Sequence, residues 1–238
     1  MIRALILAGW YALAIATFGP VGIIHAFITN DISWLYWQAM KVARFGLWLV
    51  GVEVRVEGRD LFDPNGTYIY MFNHVSNLDP PALIPLVPRR TSVLLKKELM
   101  RIPILSRAMK MASFVPVDRS NRDAAIASIE RAVSVLRDGV NISIFPEGTR
   151  SRDGKLLPFK KGPFHLAMES GVDVIPVTIH GTEKMMPKGT NKVRPGVAHV
   201  IFHAPVSPKD YAAREELTEA VRRAIESALP QEMRSDEH

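Results

Sequence analysis

His74 and Asp79 stand five residues apart in the stretch Asn73-His74-Val75-Ser76-Asn77-Leu78-Asp79-Pro80-Pro81. An imidazole oriented by a carboxylate through one ring nitrogen keeps the other nitrogen as a base. Such a pair can take a proton from a hydroxyl without any protein nucleophile. On one continuous helix a five-residue step turns about 140° beyond a full circle, so the two side chains would not share a face. Across a strand–turn–helix junction they can meet. The chain predicts that junction: a β-rich run over 67–72 precedes His74, and a helix over 79–87 follows, its first turn tolerating two prolines. One His and one Asp this close also occur by chance, so the pair needs support from elsewhere. Metal ligation is the rival chemistry. No second histidine or nearby carboxylate completes a shell, and no metal is expected.

Three further blocks follow apolar runs. Phe145-Pro146-Glu147-Gly148-Thr149-Arg150-Ser151 combines backbone freedom at Gly148 with N–H groups that could hold an anion or a developing oxyanion, and Glu147 and Arg150 would add polar grip. Its bland alternative is a turn with a surface salt bridge. Val117-Asp118-Arg119-Ser120 offers a guanidinium that could bind phosphate bidentately, or merely the capping region of the next helix. Val174-Ile175-Pro176-Val177 reads as core.

In this order the four blocks resemble the 1-acyl-glycerol-3-phosphate acyltransferase family, the PlsC-type glycerolipid acyltransferases, over residues from about 32 to 205. The first block matches Asn-His, four residues, Asp, and the Phe-Pro-Glu-Gly-Thr-Arg-Ser stretch is the most specific match. The resemblance implies an α/β acyltransferase domain on an N-terminal two-helix membrane module. It implies His74 as general base and Asp79 as its orienting partner. Arg119, Glu147, Gly148, Thr149 and Arg150 would serve the acyl-acceptor site, and Lys97 would face the acceptor phosphate. The implied reaction moves an acyl group from acyl-CoA or acyl carrier protein, as donor substrate and with no cofactor, to the sn-2 hydroxyl of lysophosphatidic acid. Another lyso-lipid (a lyso-ornithine lipid or lysophospholipid) or glycerol-3-phosphate is the alternative acceptor. One departure stands out: Ser113 occupies a position where the family usually has glycine, and Pro116 stands near the usual aromatic position.

The elements that must carry these blocks are legible in outline. The 238 residues are 47% hydrophobic and 23% charged, which suits a folded domain with a real core. With no Cys there is no disulfide framework, thiolate nucleophile or Cys-bound zinc. Period-two alternation over 52–56 and apolar runs over 67–72, 91–95, 112–117, 141–145, 173–179 and 198–202 predict strands. Helices are expected over 121–136, ended by Gly139, over 164–169, and from a Ser207-Pro208 cap to about 229. Strands alternating with helices make an α/β fold with a mainly parallel mixed sheet flanked by helices.

Residues 4–24 carry no charge and would form a helix of roughly 30 Å, about one hydrocarbon core. Gly19-Pro20 suggests a kinked or shallow helix as readily as a straight span, and Ala14-Ile15-Ala16 resembles a cleavage site although the apolar run continues past it. The next segment, 32–50, sets Trp34, Trp37, Lys41, Arg44, Phe45 and Trp48 opposite Ala39, Ala43 and Gly46, as a helix at headgroup level packed on the first would need. Residues 1–50 are therefore read as a membrane-docking helical pair, 51–232 as the acyltransferase domain and 233–238 as a flexible tail. Lys41, Arg44, Arg55 and Arg59 place the bulk of the chain on the cytoplasmic side, with the cytoplasmic face of the inner membrane as the expected location. The net charge of +6 equals that of residues 89–110 alone, with seven basic residues against Glu98. That field suits phosphate or an anionic lipid face. Nucleic acid is not an expected partner, because no aromatic-studded basic groove lies outside the first 50 residues. A lipid-binding scaffold with a decayed site is the non-enzymatic rival.

Overall fold

The computed structural model describes residues 1–96, 103–117 and 122–235. Two helices lead: α1 over Ile2–Thr29 and α2 over Ser33–Leu49. Asn30, left-handed at φ 53°, ends α1. Pro20 lies inside α1 without ending it. The two helices approach closely because Gly22 and Gly46 leave room. A Cβ on Gly46 would sit 2.8 Å from the Tyr11 ring, and one on Gly22 2.5 Å from Leu35. Trp10 Nε1 donates to Val42 O at 2.9 Å. Only 17% of the most apolar stretch of α1 is buried, so it is not a core helix. Leu5, Leu13, Ile15, Val21 and Ile28 of α1 and Trp34, Trp37, Phe45 and Trp48 of α2 are exposed.

Among the described residues seven strands follow in one sheet: β1 Val52–Glu57, β2 Ile69–Phe72, β3 Thr91–Lys96, β4 Val115–Val117, β5 Asn141–Ile144, β6 Val174–His180 and β7 Gly196–Phe202. Their order is β1-β7-β6-β2-β5-β3-β4, and every pair is parallel except β6–β7. The helices are α3 Asp79–Leu83, α4 Pro103–Met111, α5 Arg122–Arg137, α6 Lys161–Ser170, α7 Thr182–Met185 and α8 Arg214–Ser227. Alternate residues of the central strands feed two cores, as the pleat requires. Tyr70, Phe72, Ile175 and Val177 join Leu47, Val50 and Leu83 on the side of α2 and α3. Ile69, Met71, Ile142 and Val174 join Phe164, Leu217 and Ile225 on the side of α6 and α8. The C-terminal end of α2 is thus part of the domain core.

Helix ends explain most differences from the expected boundaries. Pro85 cannot donate to a carbonyl four residues back, so α3 tightens after Leu83 into a 3₁₀ turn over Ile84–Leu86. α6 starts at Lys161, three residues earlier than expected, with Pro163 tolerated in its first turn. Pro208 opens only a 3₁₀ turn. The last helix begins at Arg214, where the Glu216 carboxylate accepts the Ala213 N–H at 3.3 Å. Met233, where a flexible tail is expected to begin, is instead buried, and its carbonyl accepts the Leu156 N–H at 2.9 Å.

α4 and α5 end in the same double hydrogen-bond motif. At α5, Gly139 N–H donates to Leu136 O and Val140 N–H to Val135 O, with Gly139 at φ 74°. At α4, Ser113 N–H donates to Lys110 O and Phe114 N–H to Met109 O, with Ser113 at φ 61°. This C-terminal motif calls for a left-handed residue, which glycine supplies without strain. The serine at the departure from the family pattern therefore takes a glycine's conformation. Ser92 Oγ donates to its carbonyl at 2.6 Å.

Candidate active site

β2 delivers the first block to the carboxyl edge of the sheet. Asn73 fastens the exit: its Nδ2 donates to Ile179 O at 2.8 Å and its Oδ1 accepts the Ile179 N–H at 2.7 Å. The chain then turns into α3, and the junction brings His74 and Asp79 together. His74 Nδ1 lies 2.8 Å from Asp79 Oδ2. The same oxygen accepts the N–H groups of Val75 and Ser76, each at 2.7 Å. Oδ1 accepts the Thr182 hydroxyl at 2.6 Å. Asp79 is fully buried. A carboxylate receiving these N–H donors is an acceptor only, so the shared proton belongs to His74 Nδ1 and the lone pair to Nε2. Nε2 has no protein partner among the described residues, and the side chain keeps 16% of its exposure. The Phe145 ring stacks on the imidazole with centroids 4.1 Å apart.

β5 delivers the second block beside the first. The two are joined at the backbone of His74: its N–H donates to Glu147 Oε1 at 2.6 Å, and its carbonyl accepts the Ser151 N–H at 2.8 Å. Glu147 therefore points inward. It is buried, and its second oxygen accepts the Leu157 N–H at 3.0 Å. Burial pushes its carboxyl up to about 8, with the two N–H donors holding it against a larger rise. The expected polar grip of Glu147 on a ligand is thus an internal strut. Gly148, at φ 70°, lets the loop reverse, and its N–H donates to Phe145 O at 3.0 Å inside that turn. Thr149 and Arg150 face outward. Lys188 Nζ donates to Thr149 Oγ1 at 3.3 Å and to Arg150 O at 2.5 Å.

A cavity of about 610 Å³ opens here. His74, Gly148, Thr149, Arg150 and Lys160 contribute to its polar lining, and Leu94, Ile129, Ala132, Ile144 and Leu166 to its apolar lining. Together these groups offer an imidazole, cationic side chains and an apolar wall. That set can activate an alcohol next to a bound anion and an aliphatic chain. Lys97 and Arg119 lie outside the described residues. β3 and β4 run parallel to β5 and end at Lys96 and Val117 on this same edge.

The model of the family described as Acyltransferase matches residues 53–180, which span both blocks. The chain belongs to the acyltransferase family. It is 37% identical over 166 residues to a 1-acyl-sn-glycerol-3-phosphate acyltransferase of Limnanthes douglasii, covering 69% of this chain and 58% of that one. It is 32% identical over 199 residues to 1-acyl-sn-glycerol-3-phosphate acyltransferase alpha of Mus musculus, covering 79% and 69%. Among solved structures, the crystal structure of the 1-acyl-sn-glycerophosphate acyltransferase PlsC of Thermotoga maritima superposes with a TM-score of 0.79 at 29% identity, covering 94% of this chain and 92% of that one. The aligned region takes up little more than half of several curated relatives, including those from Limnanthes douglasii (58%) and Cocos nucifera (54%).

The fold thus agrees with that of the family. Two residues of the site had no local signal. Thr182 lies 103 residues from the carboxylate it touches. Lys188 lies 38 residues from the carbonyl it holds. Both follow the apolar strand β6, a place where loop residues of an α/β sheet converge on a site, and that position was the one available clue.

Proposed function

We propose that this acyltransferase transfers a fatty acyl group from an acyl thioester, acyl-CoA or acyl carrier protein, to the sn-2 hydroxyl of lysophosphatidic acid, giving phosphatidic acid at a membrane surface. The observation that carries the reading is the His74–Asp79 pair at 2.8 Å, with the second imidazole nitrogen lacking a partner among the described residues and lying beside the cavity that Arg150 also lines. The names of the relatives support the acceptor. Nε2 takes the proton of the sn-2 hydroxyl as its oxygen attacks the thioester carbonyl. The tetrahedral oxyanion collapses, the carbon–sulfur bond breaks, and the imidazolium returns the proton to the leaving thiolate. Asp79 stabilises the imidazolium between these steps. No acyl-enzyme is formed, in keeping with a chain that has no Cys. Arg150, with Lys97 and Arg119, neutralises the acceptor phosphate. The exposed apolar residues of α1 and the tryptophans of α2 dock the domain on the bilayer that holds the acceptor.

The test is an assay of the purified chain with both donor types on lysophosphatidic acid, lyso-ornithine lipid, lysophosphatidylcholine and glycerol-3-phosphate. The reading expects the highest kcat/KM with lysophosphatidic acid and phosphatidic acid as product. A clear preference for a phosphate-free acceptor or for glycerol-3-phosphate would overturn it.

A further inference from the structure

Segment 181–188 touches both motif blocks. It leaves β6 at Gly181, whose φ of 94° and close approach to β7 exclude a side chain: a Cβ there would lie 2.3 Å from Val197 O. The next residue, Thr182, is fully buried and gives its hydroxyl proton to Asp79 Oδ1 at 2.6 Å. Met186 O accepts the Ser76 hydroxyl at 2.8 Å, and Pro187 forms a β-bridge with Ser76. Lys188 then reaches the other block through Thr149 Oγ1 and Arg150 O. Arg194 N–H, just before β7, donates to Met185 O at 2.9 Å and secures the segment from that side.

The donors to Asp79 are unevenly shared. Three converge on Oδ2: His74 Nδ1 and the N–H groups of Val75 and Ser76. Among the described residues, Thr182 supplies the one hydrogen bond to Oδ1. Without that hydroxyl, Oδ1 would be a buried carboxyl oxygen with no donor among the described residues, which a folded chain avoids by rotating or protonating the carboxyl. Either response spoils the acceptor that keeps the imidazole proton on Nδ1.

We propose that segment 181–188 is a third arm of the site, in which Thr182 is the positioning residue that fixes the Asp79 carboxylate and Lys188 fixes the Thr149–Arg150 loop. The proposal rests on the acyl-transfer reading for its kinetic consequences only. Thr182 acts through Asp79 and never meets substrate, so its loss lowers kcat and spares the KM for the acceptor. Lys188 places a cation against Thr149 and Arg150, which line the cavity, so its loss raises that KM.

The experiment compares Thr182→Val, Thr182→Ser and Lys188→Met with wild type in two readouts. In acyl transfer to lysophosphatidic acid, Thr182→Val is expected to lose about 10- to 100-fold in kcat with KM unchanged, a usual loss for an outer partner of a reacting group. Thr182→Ser should restore most of it. Lys188→Met should raise the acceptor KM more than it lowers kcat. Independently of activity, the His74 Nδ1 proton is followed by NMR in ¹⁵N-histidine-labelled protein, identified by its loss in His74→Ala. The signal should persist in Thr182→Ser and shift or vanish in Thr182→Val. An unchanged signal in Thr182→Val, or a Thr182→Ser protein as impaired as Thr182→Val, overturns the Thr182 assignment. An unchanged acceptor KM in Lys188→Met overturns the Lys188 half. If wild type fails to acylate lysophosphatidic acid, the functional reading falls while the NMR comparison still decides the role of Thr182.

Discussion

The block at 73–79 and the block at 145–151 meet at one histidine, yet they are held differently. Asn73, Ser76 and Asp79 are each buried and bonded to other segments, so the imidazole has little freedom apart from the ring nitrogen beside the cavity. The second block divides its labour. Glu147 turns inward to prop the His74 backbone, while Thr149 and Arg150 turn outward to the cavity. Proton transfer needs a geometry held within a few tenths of an ångström, and recognition of a flexible phosphate does not. The difference predicts that changes in the first block reduce turnover, and changes at the outward end of the second reduce binding.

Asp79→Asn should be the most damaging change outside the histidine itself. The amide can present an N–H to donors that need an acceptor, and the imidazole tautomer is no longer fixed. A kcat loss on the order of 10³-fold is expected. A loss under about 10-fold would remove the distinction between the blocks.

Glu147→Gln should lower both stability and turnover, because an amide cannot accept from both the His74 and Leu157 N–H groups without presenting its own N–H to one of them. A destabilisation of about 1–3 kcal/mol is expected. The same residue gives a pH signature. Its folded carboxyl titrates at about 8, above the ordinary value of 4.5. Within that window the folded chain holds a proton that the unfolded chain has released, so this contribution to stability is complete below the lower value and falls as pH rises through the window. The Tm of wild type should therefore fall relative to that of Glu147→Gln between about pH 5 and pH 8. A constant difference would mean that the carboxyl is not raised.

Arg150→Met should raise the KM for a phosphate-bearing acceptor about 10-fold and change kcat far less. An equal loss of kcat would place Arg150 with the first block.

The smallest effect is expected at Ser113, where the backbone already adopts a glycine's conformation. Ser113→Gly should relieve left-handed strain, partly offset by a more flexible unfolded chain, for a net gain of up to about 1 kcal/mol and a Tm rise of about 2–4 °C. A lower Tm would show that the Ser113 side chain contributes more than its strain costs.

Much of this was legible in the sequence, for reasons tied to particular residues. The meeting of His74 and Asp79 was legible in a five-residue spacing that a continuous helix cannot close and a strand–turn–helix junction can. The parallel sheet followed from apolar strands alternating with helices, and Gly139 marked the end of α5. Other features were hidden. Glu147 and Arg150 look alike as polar members of one motif, and only the depth of the turn sends one inward and the other outward. Pro208 reads like a helix start, yet the carboxylate that caps α8 belongs to Glu216. Thr182 is an ordinary threonine until the sheet order places β6 beside β2. Long-range placement of this kind is written in the pairing of strands, which no local pattern encodes.

The most direct test of the account is the turnover of purified His74→Ala against wild type, with acyl thioester and lysophosphatidic acid, once circular dichroism shows that both are folded. The account predicts a loss of about 10³-fold or more with the fold retained. Turnover within a few-fold of wild type would contradict it, because the alcohol would then be deprotonated without this imidazole.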